Sequence, residues 1–100
     1  MRILVVGAGG VGGAIATAAS RRDFFEHLTI ADIDKERARE VAIKTQDSRF
    51  ASAQVDASDS ASILALALEI NADVIMNAAD PRFVMPIFDA AFEAGANYID

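Results

Sequence analysis

The chain has 100 residues, a formal net charge of −6, one histidine and no cysteine. This length suits one domain, residues 1–100, and the composition excludes disulfides and thiolate chemistry. An acidic chain with scattered lysine and arginine is a poor binder of nucleic acid, and no apolar run approaches the ~20 residues of a membrane span. No secretory signal precedes the first strand, so we expect a cytoplasmic protein.

The first predicted element is a short strand that leads into a glycine-rich turn. Residues 3–6 form an apolar, largely β-branched run of the kind that lies buried on both faces in a parallel sheet. Three glycines follow with G-x-G-x-x-G spacing, and an alanine-rich helical pattern extends from residue 10 or 11 to residue 22. This arrangement directs free N–H groups and the positive end of the helix dipole at a pyrophosphate. The residues predicted to bind it are Gly7, Gly9, Gly10, Val11 and Gly12.

The three glycines of the motif have different expected roles. Gly7 allows a tight turn off the strand, where a Cβ atom would be penalised. Gly9 lets the backbone approach the phosphates closely, and Gly12 lets the helix pack against the strand. The alternative is that all three serve only the close packing of the helix on the sheet.

A second apolar strand, residues 28–32, ends on Asp32, which lies 20 residues beyond Gly12. A carboxylate at this place accepts hydrogen bonds from the hydroxyl groups of an adenosine ribose. It would repel a 2′-phosphate at about 4 Å by roughly 4 kcal/mol at an effective dielectric constant of about 20. Lys35 would offset part of this repulsion, while Arg37 points less favourably. We therefore favour NAD over NADP as the cofactor.

The later segments keep the alternation of helices and strands. Asp34 is a natural N-cap for a second helix, and Ser58 for a third. The sequence predicts a helix over 35–45, a strand over 50–55, the third helix, a strand over 74–77, a last helix and a strand over 97–100.

Two prolines decide where the last helix begins. A start at Asp80 would leave Pro86 inside the helix, which costs roughly 3 kcal/mol or more, so we place the start at Pro86. Gly95 ends the helix. Four of its residues are expected to face the sheet: Ile87, Phe88, Ala91 and Phe92.

This alternation predicts an α/β fold with an open, parallel, doubly wound, Rossmann-like sheet. Right-handed crossovers give the strand order 3-2-1-4-5, with helices on both faces in three layers, α/β/α. Such sheets bind ligands beyond the carboxyl ends of the strands, at the switch between the first and fourth strands. Besides the glycine turn and Asp32, the residues at these ends are Ile33, Asp56, Ala57, Asn77, Ala78 and Ala79.

We expect these strand ends to follow an extended dinucleotide. Asp56 and Ala57 would lie beside the adenine, and residues 77–79 beside the nicotinamide ribose. Asp56 is equally well interpreted as an Asx-turn or capping residue. Asn77 is also typical of a turn at a strand end, although we favour a role at the cofactor.

No group of residues is typical of a hydride-transfer catalyst. The sequence has no Ser-x-x-x-Lys pair and no cluster of metal ligands, and His27, which opens the second strand, is the only histidine. We interpret His27 as structural, and Asp73 and Asp100 as turn or solvent-facing residues. The sequence thus predicts a cofactor site, with no catalytic residue and no metal site.

Five segments together resemble the N-terminal NAD(P)-binding domain of the saccharopine dehydrogenase family. They are residues 5–12, 31–32, 55–57, 77–79 and 93–100, of which the closing A-G-x-x-Y-x-D segment is the most distinctive. The resemblance implies an oxidoreductase that joins or reduces amino acids and keto acids through an imine. It also implies that a substrate and dimerisation domain lies outside this chain, which alone would be an inactive fragment. Some relatives prefer NADP and lack an acid at the position of Asp32.

Two other functions share parts of this pattern. A regulatory nucleotide-binding module, of the type that gates potassium transport, has the glycine turn, the acid of the second strand and an Asp-Ala pair after the third. The proline-containing loop and the ending Tyr98-Ile99-Asp100 favour the enzyme. The third hypothesis, after the enzyme and the regulatory module, is a Rossmann-like domain that binds no ligand. The unpaired edge of the last strand predicts self-association, with a homodimer as its simplest form.

Overall fold

The computed structural model describes residues 1–100, and strands alternate with helices throughout. A single 3₁₀ turn, Pro81–Phe83, interrupts this alternation before the last helix. The strands are β1 (Arg2–Val6), β2 (His27–Asp32), β3 (Phe50–Gln54), β4 (Val74–Asn77) and β5 (Asn97–Ile99). The helices are α1 (Gly10–Ala19), α2 (Lys35–Lys44), α3 (Ser60–Glu69) and α4 (Val84–Ala94).

The five strands form one parallel sheet in the order β3-β2-β1-β4-β5, which confirms the predicted fold. The central strand β1 pairs with β2 on one side and with β4 on the other. The topological switch therefore lies between β1 and β4. The glycine turn, which follows β1, lies at this switch.

Helices cover both faces of the sheet. Successive side chains of β1 point to opposite faces, so neighbouring residues of this strand pack against different helices. Ile3 and Val5 belong to one buried cluster, which includes residues of α1 and α2. Leu4 and Val6 belong to a second cluster, which includes residues of α3 and α4. The three-layer arrangement is thus confirmed, and all four of these strand residues are buried.

Helix α3 begins one residue later than the Ser58 cap predicts. Its N-cap is Asp59, whose carboxylate accepts a hydrogen bond from the Ser62 N–H at 3.2 Å. The Ser58 hydroxyl instead donates to Asp56 at 2.6 Å. Both residues are good N-caps, and the bond from Ser58 to Asp56 leaves the cap position to Asp59. The predicted cap of α2 is confirmed, since Asp34 accepts from the Arg37 N–H.

The predicted start of the last helix at Pro86 is wrong. Asp80 caps the 3₁₀ turn with Pro81 at its first position, and α4 then begins at Val84. Pro86 is consequently the third residue of α4. The first N–H groups of a helix have no partner within it, so a proline there loses no hydrogen bond. The predicted end is confirmed, since Gly95 has a φ of +72° at the C-cap.

The inward face of α4 also differs from the prediction. Ile87 and Ala91 are buried as expected, but Phe88 is 42% exposed and Phe92 is 78% exposed. Ala90 takes the remaining buried position. Two apolar stripes overlap on this helix. The buried stripe contains Ala90 and Ala91, whose small side chains allow α4 to pack closely on its neighbours, and the exposed stripe contains Phe88 and Phe92. With 10 or 11 residues each, the four helices are too short to span a membrane.

Candidate functional site

A cleft of about 350 Å³ opens at the carboxyl ends of the central strands. It lies at the switch between β1 and β4, where an open α/β sheet binds its ligands. The cleft collects most of the residues that the sequence predicts. Its lining consists of Val6, Gly7, Gly9, Asp32, Ile33, Arg37, Val55, Asp56, Ala57, Ala78, Ala79, Asp80 and Phe83.

Gly7 makes the turn at the end of β1 and touches the end of β4. Its φ of +115° is one that L side chains rarely adopt, and its N–H donates to the Ala31 carbonyl at 2.7 Å. A Cβ atom at Gly7 would lie 2.7 Å from the Ala78 carbonyl carbon. Both the backbone conformation and the space therefore require glycine here.

Gly12 brings α1 against the same turn. A Cβ atom at this position would lie 1.9 Å from the Gly7 carbonyl oxygen, a distance that no side chain can occupy. By contrast, Cβ atoms at Gly9, Gly10 and Gly13 would meet nothing within 4 Å. The glycines thus divide into two that permit packing and three that leave open space at the start of the helix.

The start of α1 presents free backbone donors. The Gly13 N–H donates to the Gly9 carbonyl at 2.8 Å, which closes the first helical turn. The N–H groups of residues 9–12 donate to no acceptor within the chain. No acidic side chain lies in this first turn. Free donors at a helix N-terminus, together with the helix dipole, favour an anion.

Asp32 links the glycine turn to the end of β2. One carboxylate oxygen accepts from the Ala8 N–H at 2.8 Å, and the other accepts from the Asp34 N–H at 2.8 Å. Each carboxylate oxygen can accept a second hydrogen bond. The partly buried carboxylate is therefore held in one orientation in the cleft, with acceptor capacity left for a ligand.

The basic residue at the cleft is Arg37, whereas the sequence favours Lys35. Arg37 lines the cleft with Asp32 and Ile33, and Lys35 does not. Lys35 is the first residue of α2, and Arg37 follows at the position whose N–H donates to the capping Asp34. Sequence spacing alone does not show which of the two side chains turns back towards the strand ends.

Asp56 and Ala57 lie in the cleft wall after β3. The Asp56 carboxylate accepts from the Ser58 hydroxyl at 2.6 Å and from the Ser58 N–H at 2.9 Å. These hydrogen bonds from Ser58 lower the pKa of Asp56 below its usual value. The Asx-turn role of Asp56 is therefore observed, and its contact with an adenine stays a prediction.

The side chain of Asn77 forms its hydrogen bonds within the protein. Its amide nitrogen donates to the Tyr98 hydroxyl at 3.0 Å, and its amide oxygen accepts from the Ala79 N–H at 2.9 Å. Ala78 and Ala79 line the cleft, whereas Asn77 does not. Sequence reasoning missed this partnership with Tyr98, as well as the contributions of Asp80 and Phe83 to the lining.

His27 lies outside this site. It pairs with Arg2 at the amino end of β1 and β2, opposite to the edge that carries the cleft. Burial, with a further contribution from Arg2, lowers the pKa of His27. No group of three or more His, Asp or Glu side chains is arranged to hold a metal ion.

One protein family matches nearly the whole chain. The family described as "Saccharopine dehydrogenase NADP binding domain" matches residues 3–100. Carboxynorspermidine synthase of Vibrio alginolyticus is 31% identical over an alignment of 109 positions, which covers 100% of this chain and 26% of that protein. Carboxyaminopropylagmatine dehydrogenase of Synechocystis is 27% identical, over 99% of this chain and 25% of that protein. The chain thus spans about a quarter of the length of these relatives.

A solved structure gives the same result for the fold. Saccharopine dehydrogenase (L-Glu forming) from Saccharomyces cerevisiae superposes with a TM-score of 0.82. The match covers 97% of this chain and 20% of that one, at 15% sequence identity. At this identity the likeness concerns the fold alone.

Proposed function

Because the chain belongs to the saccharopine dehydrogenase NADP-binding domain family, we propose that it is the nicotinamide-dinucleotide-binding part of an oxidoreductase. The observation that carries this proposal is the row of free N–H groups at residues 9–12, which stands beside the fixed carboxylate of Asp32. A donor row and a carboxylate in one cleft match a pyrophosphate that is followed by a ribose.

The site residues divide among the parts of the dinucleotide. The glycine turn and the start of α1 hold the pyrophosphate, and Asp32 accepts from the adenosine ribose. The open space at Gly9 and Gly10 supports this placement, because a phosphate can approach the backbone there. The adenine lies between Ile33 and the segment Asp56–Ala57. The nicotinamide ribose lies at Asn77, Ala78 and Ala79.

When bound, the cofactor supplies a hydride. The residues of this chain orient the cofactor and donate hydrogen bonds to its negatively charged phosphates. We place the acid–base groups and the substrate site outside these 100 residues. The resemblance supports an imine formed between an amino group and a keto acid or related carbonyl compound. The names of two relatives refer to carboxylated polyamine derivatives, which supports a substrate that carries both amino and carboxyl groups.

The chain is expected to bind NADH and to turn over no amino acid. Titration of NADH, followed by its fluorescence, measures this directly, with ATP and ADP as competitors. Tight binding of ATP or ADP without NADH binding would favour a regulatory nucleotide-binding module. If none of the three ligands binds at about millimolar concentration, the domain has no nucleotide ligand. A dissociation constant of about 1 mM corresponds to a binding free energy of roughly −4 kcal/mol.

The choice between NAD and NADP depends on two side chains of opposite charge. Asp32 favours a free 2′-hydroxyl group, whereas the family description names NADP. Arg37 lines the same cleft and forms no ion pair within the chain. A guanidinium group can bind a 2′-phosphate with two parallel hydrogen bonds and offset the repulsion from a carboxylate. We propose that the site accepts both cofactors and that Arg37 makes NADPH acceptable.

Arg37→Ala should weaken NADPH binding by about tenfold and NADH binding by less than about twofold, because only NADPH has a phosphate for the guanidinium group. Isothermal titration calorimetry with both cofactors measures the difference. Arg39→Ala is the matched control on the same helix, since Arg39 pairs with Glu36 at 3.7 Å and does not line the cleft. An equal loss of both cofactors in the Arg37 variant would place this side chain elsewhere.

A further inference from the structure

A chain of three hydrogen-bonded side chains joins the carboxyl ends of β4 and β5. The Asn77 amide nitrogen donates to the Tyr98 hydroxyl at 3.0 Å, and that hydroxyl donates to the Asp100 carboxylate at 3.0 Å. The Tyr98 ring packs edge-on against Phe88, with the ring centres 5.5 Å apart. The hydroxyl group thus uses both its acceptor and its donor capacity while the ring is fixed by packing.

This side-chain network reaches the wall of the cleft through Asn77. The amide oxygen of Asn77 accepts from the Ala79 N–H, and the Ala78 N–H donates to the Val6 carbonyl at 2.9 Å. The Ala78 carbonyl group also lies against Gly7, so closely that a Cβ atom there would come within 2.7 Å. The loop after β4 is therefore held by β1, by the glycine turn and by the Asn77 side chain.

We infer that Tyr98 is a positioning residue for the nicotinamide half of the cofactor, an inference that rests on the proposed function. The Tyr98 hydroxyl accepts a hydrogen bond from the Asn77 amide nitrogen and so fixes the orientation of the amide. The amide oxygen then accepts from the N–H of Ala79, which lines the cleft. The adenosine half depends instead on Asp32 and the glycine turn, and none of their hydrogen bonds involves Tyr98. Tyr98 should therefore matter for the nicotinamide half alone.

Tyr98→Phe tests this separation because it removes the hydroxyl group and keeps the ring against Phe88. Calorimetric titration with NADH should show affinity lower by about fivefold, the effect of one hydrogen bond, while ADP affinity changes by less than about twofold. ADP lacks the nicotinamide and its ribose, so it reports only the other half of the site. A purely structural role for Tyr98 would lower the melting temperature and change both affinities equally.

Two further variants separate the loss of the Tyr98 hydrogen-bond network from the general effect of removing a hydroxyl group. Asp100→Ala removes the acceptor of the Tyr98 hydroxyl at an exposed position and should lower NADH affinity in the same direction, by about twofold to threefold. Thr45→Val is the control, since it removes a hydroxyl that is hydrogen-bonded to the Ala42 carbonyl at the far end of α2, and it should change neither affinity.

Different results would overturn the positioning role of Tyr98 and the binding of the dinucleotide. If the unaltered chain binds both NADH and ADP, and neither Tyr98→Phe nor Asp100→Ala changes the ratio of the two affinities, Tyr98 has no positioning role. If the unaltered chain binds neither ligand at about millimolar concentration, the proposed function fails and this inference fails with it.

Discussion

Gly12→Ala is expected to lower the affinity for a dinucleotide by about 100-fold and to destabilise the fold by about 3 kcal/mol. The added Cβ atom would lie 1.9 Å from the Gly7 carbonyl oxygen, which is backbone and cannot rotate away. Helix α1 must then move off the turn, and its free N–H groups would no longer converge on one anion. Calorimetric titration with NADH and urea denaturation measure the two effects.

Gly13→Ala is the matched control for this experiment. The two glycines are neighbours in α1, but a Cβ atom at Gly13 would meet nothing within 4 Å. Alanine is the better helix former by up to about 1 kcal/mol, so this variant should be slightly more stable and should bind NADH normally. Normal NADH binding by Gly12→Ala as well would show that close packing of the helix on the turn is not needed for the site.

Asp32→Ala is expected to weaken NADH binding by about 10-fold to 100-fold, because a charge-assisted hydrogen bond to the ribose is lost. NADPH should lose less, since removal of the carboxylate also removes its repulsion of the 2′-phosphate. The ratio of the two affinities should therefore shift towards NADPH by about tenfold. Parallel calorimetric titrations of the two cofactors give this ratio.

The ratio matters because Asp32 also supports the protein. Its carboxylate accepts from the N–H groups of Ala8 and Asp34, so its loss loosens the turn and affects every ligand. Asp34→Ala controls for this: it removes the cap of α2 without altering the lining of the cleft, at a cost of about 1 kcal/mol in stability. Equal losses of NADH and NADPH in Asp32→Ala would mean that the carboxylate does not contact the ribose.

The fold and the glycine turn could be predicted because their causes are local in the sequence. Short strand patterns of four to six residues, separated by helical patterns, predict a parallel sheet, and right-handed crossovers then predict its strand order. The roles of Gly7 and Gly12 follow from the spacing of the motif. Their backbone geometry agrees, since Gly7 has a positive φ and Gly12 has no space for a Cβ atom.

The features that the sequence did not reveal depend on tertiary contacts or on competition between near neighbours. Asn77 and Tyr98 are 21 residues apart, and only the pairing of β4 with β5 brings them together. The inward face of α4 depends on which of two apolar stripes packs more closely on the sheet. Sequence spacing likewise does not show that Arg37, rather than Lys35, lines the cleft. The cytoplasmic location, the homodimer and the nature of the substrate stay predictions.

In the proposed complex, the free main-chain N–H groups at the start of α1 bind the two phosphates of the dinucleotide. Nuclear magnetic resonance of the ¹⁵N-labelled chain, titrated with NADH, tests this residue by residue. The amide signals of residues 9–12 should show the largest shifts, downfield as expected for donors to phosphate oxygen, with saturation at one ligand per chain. NADH binding that leaves these four signals in place, while others move, would contradict the account.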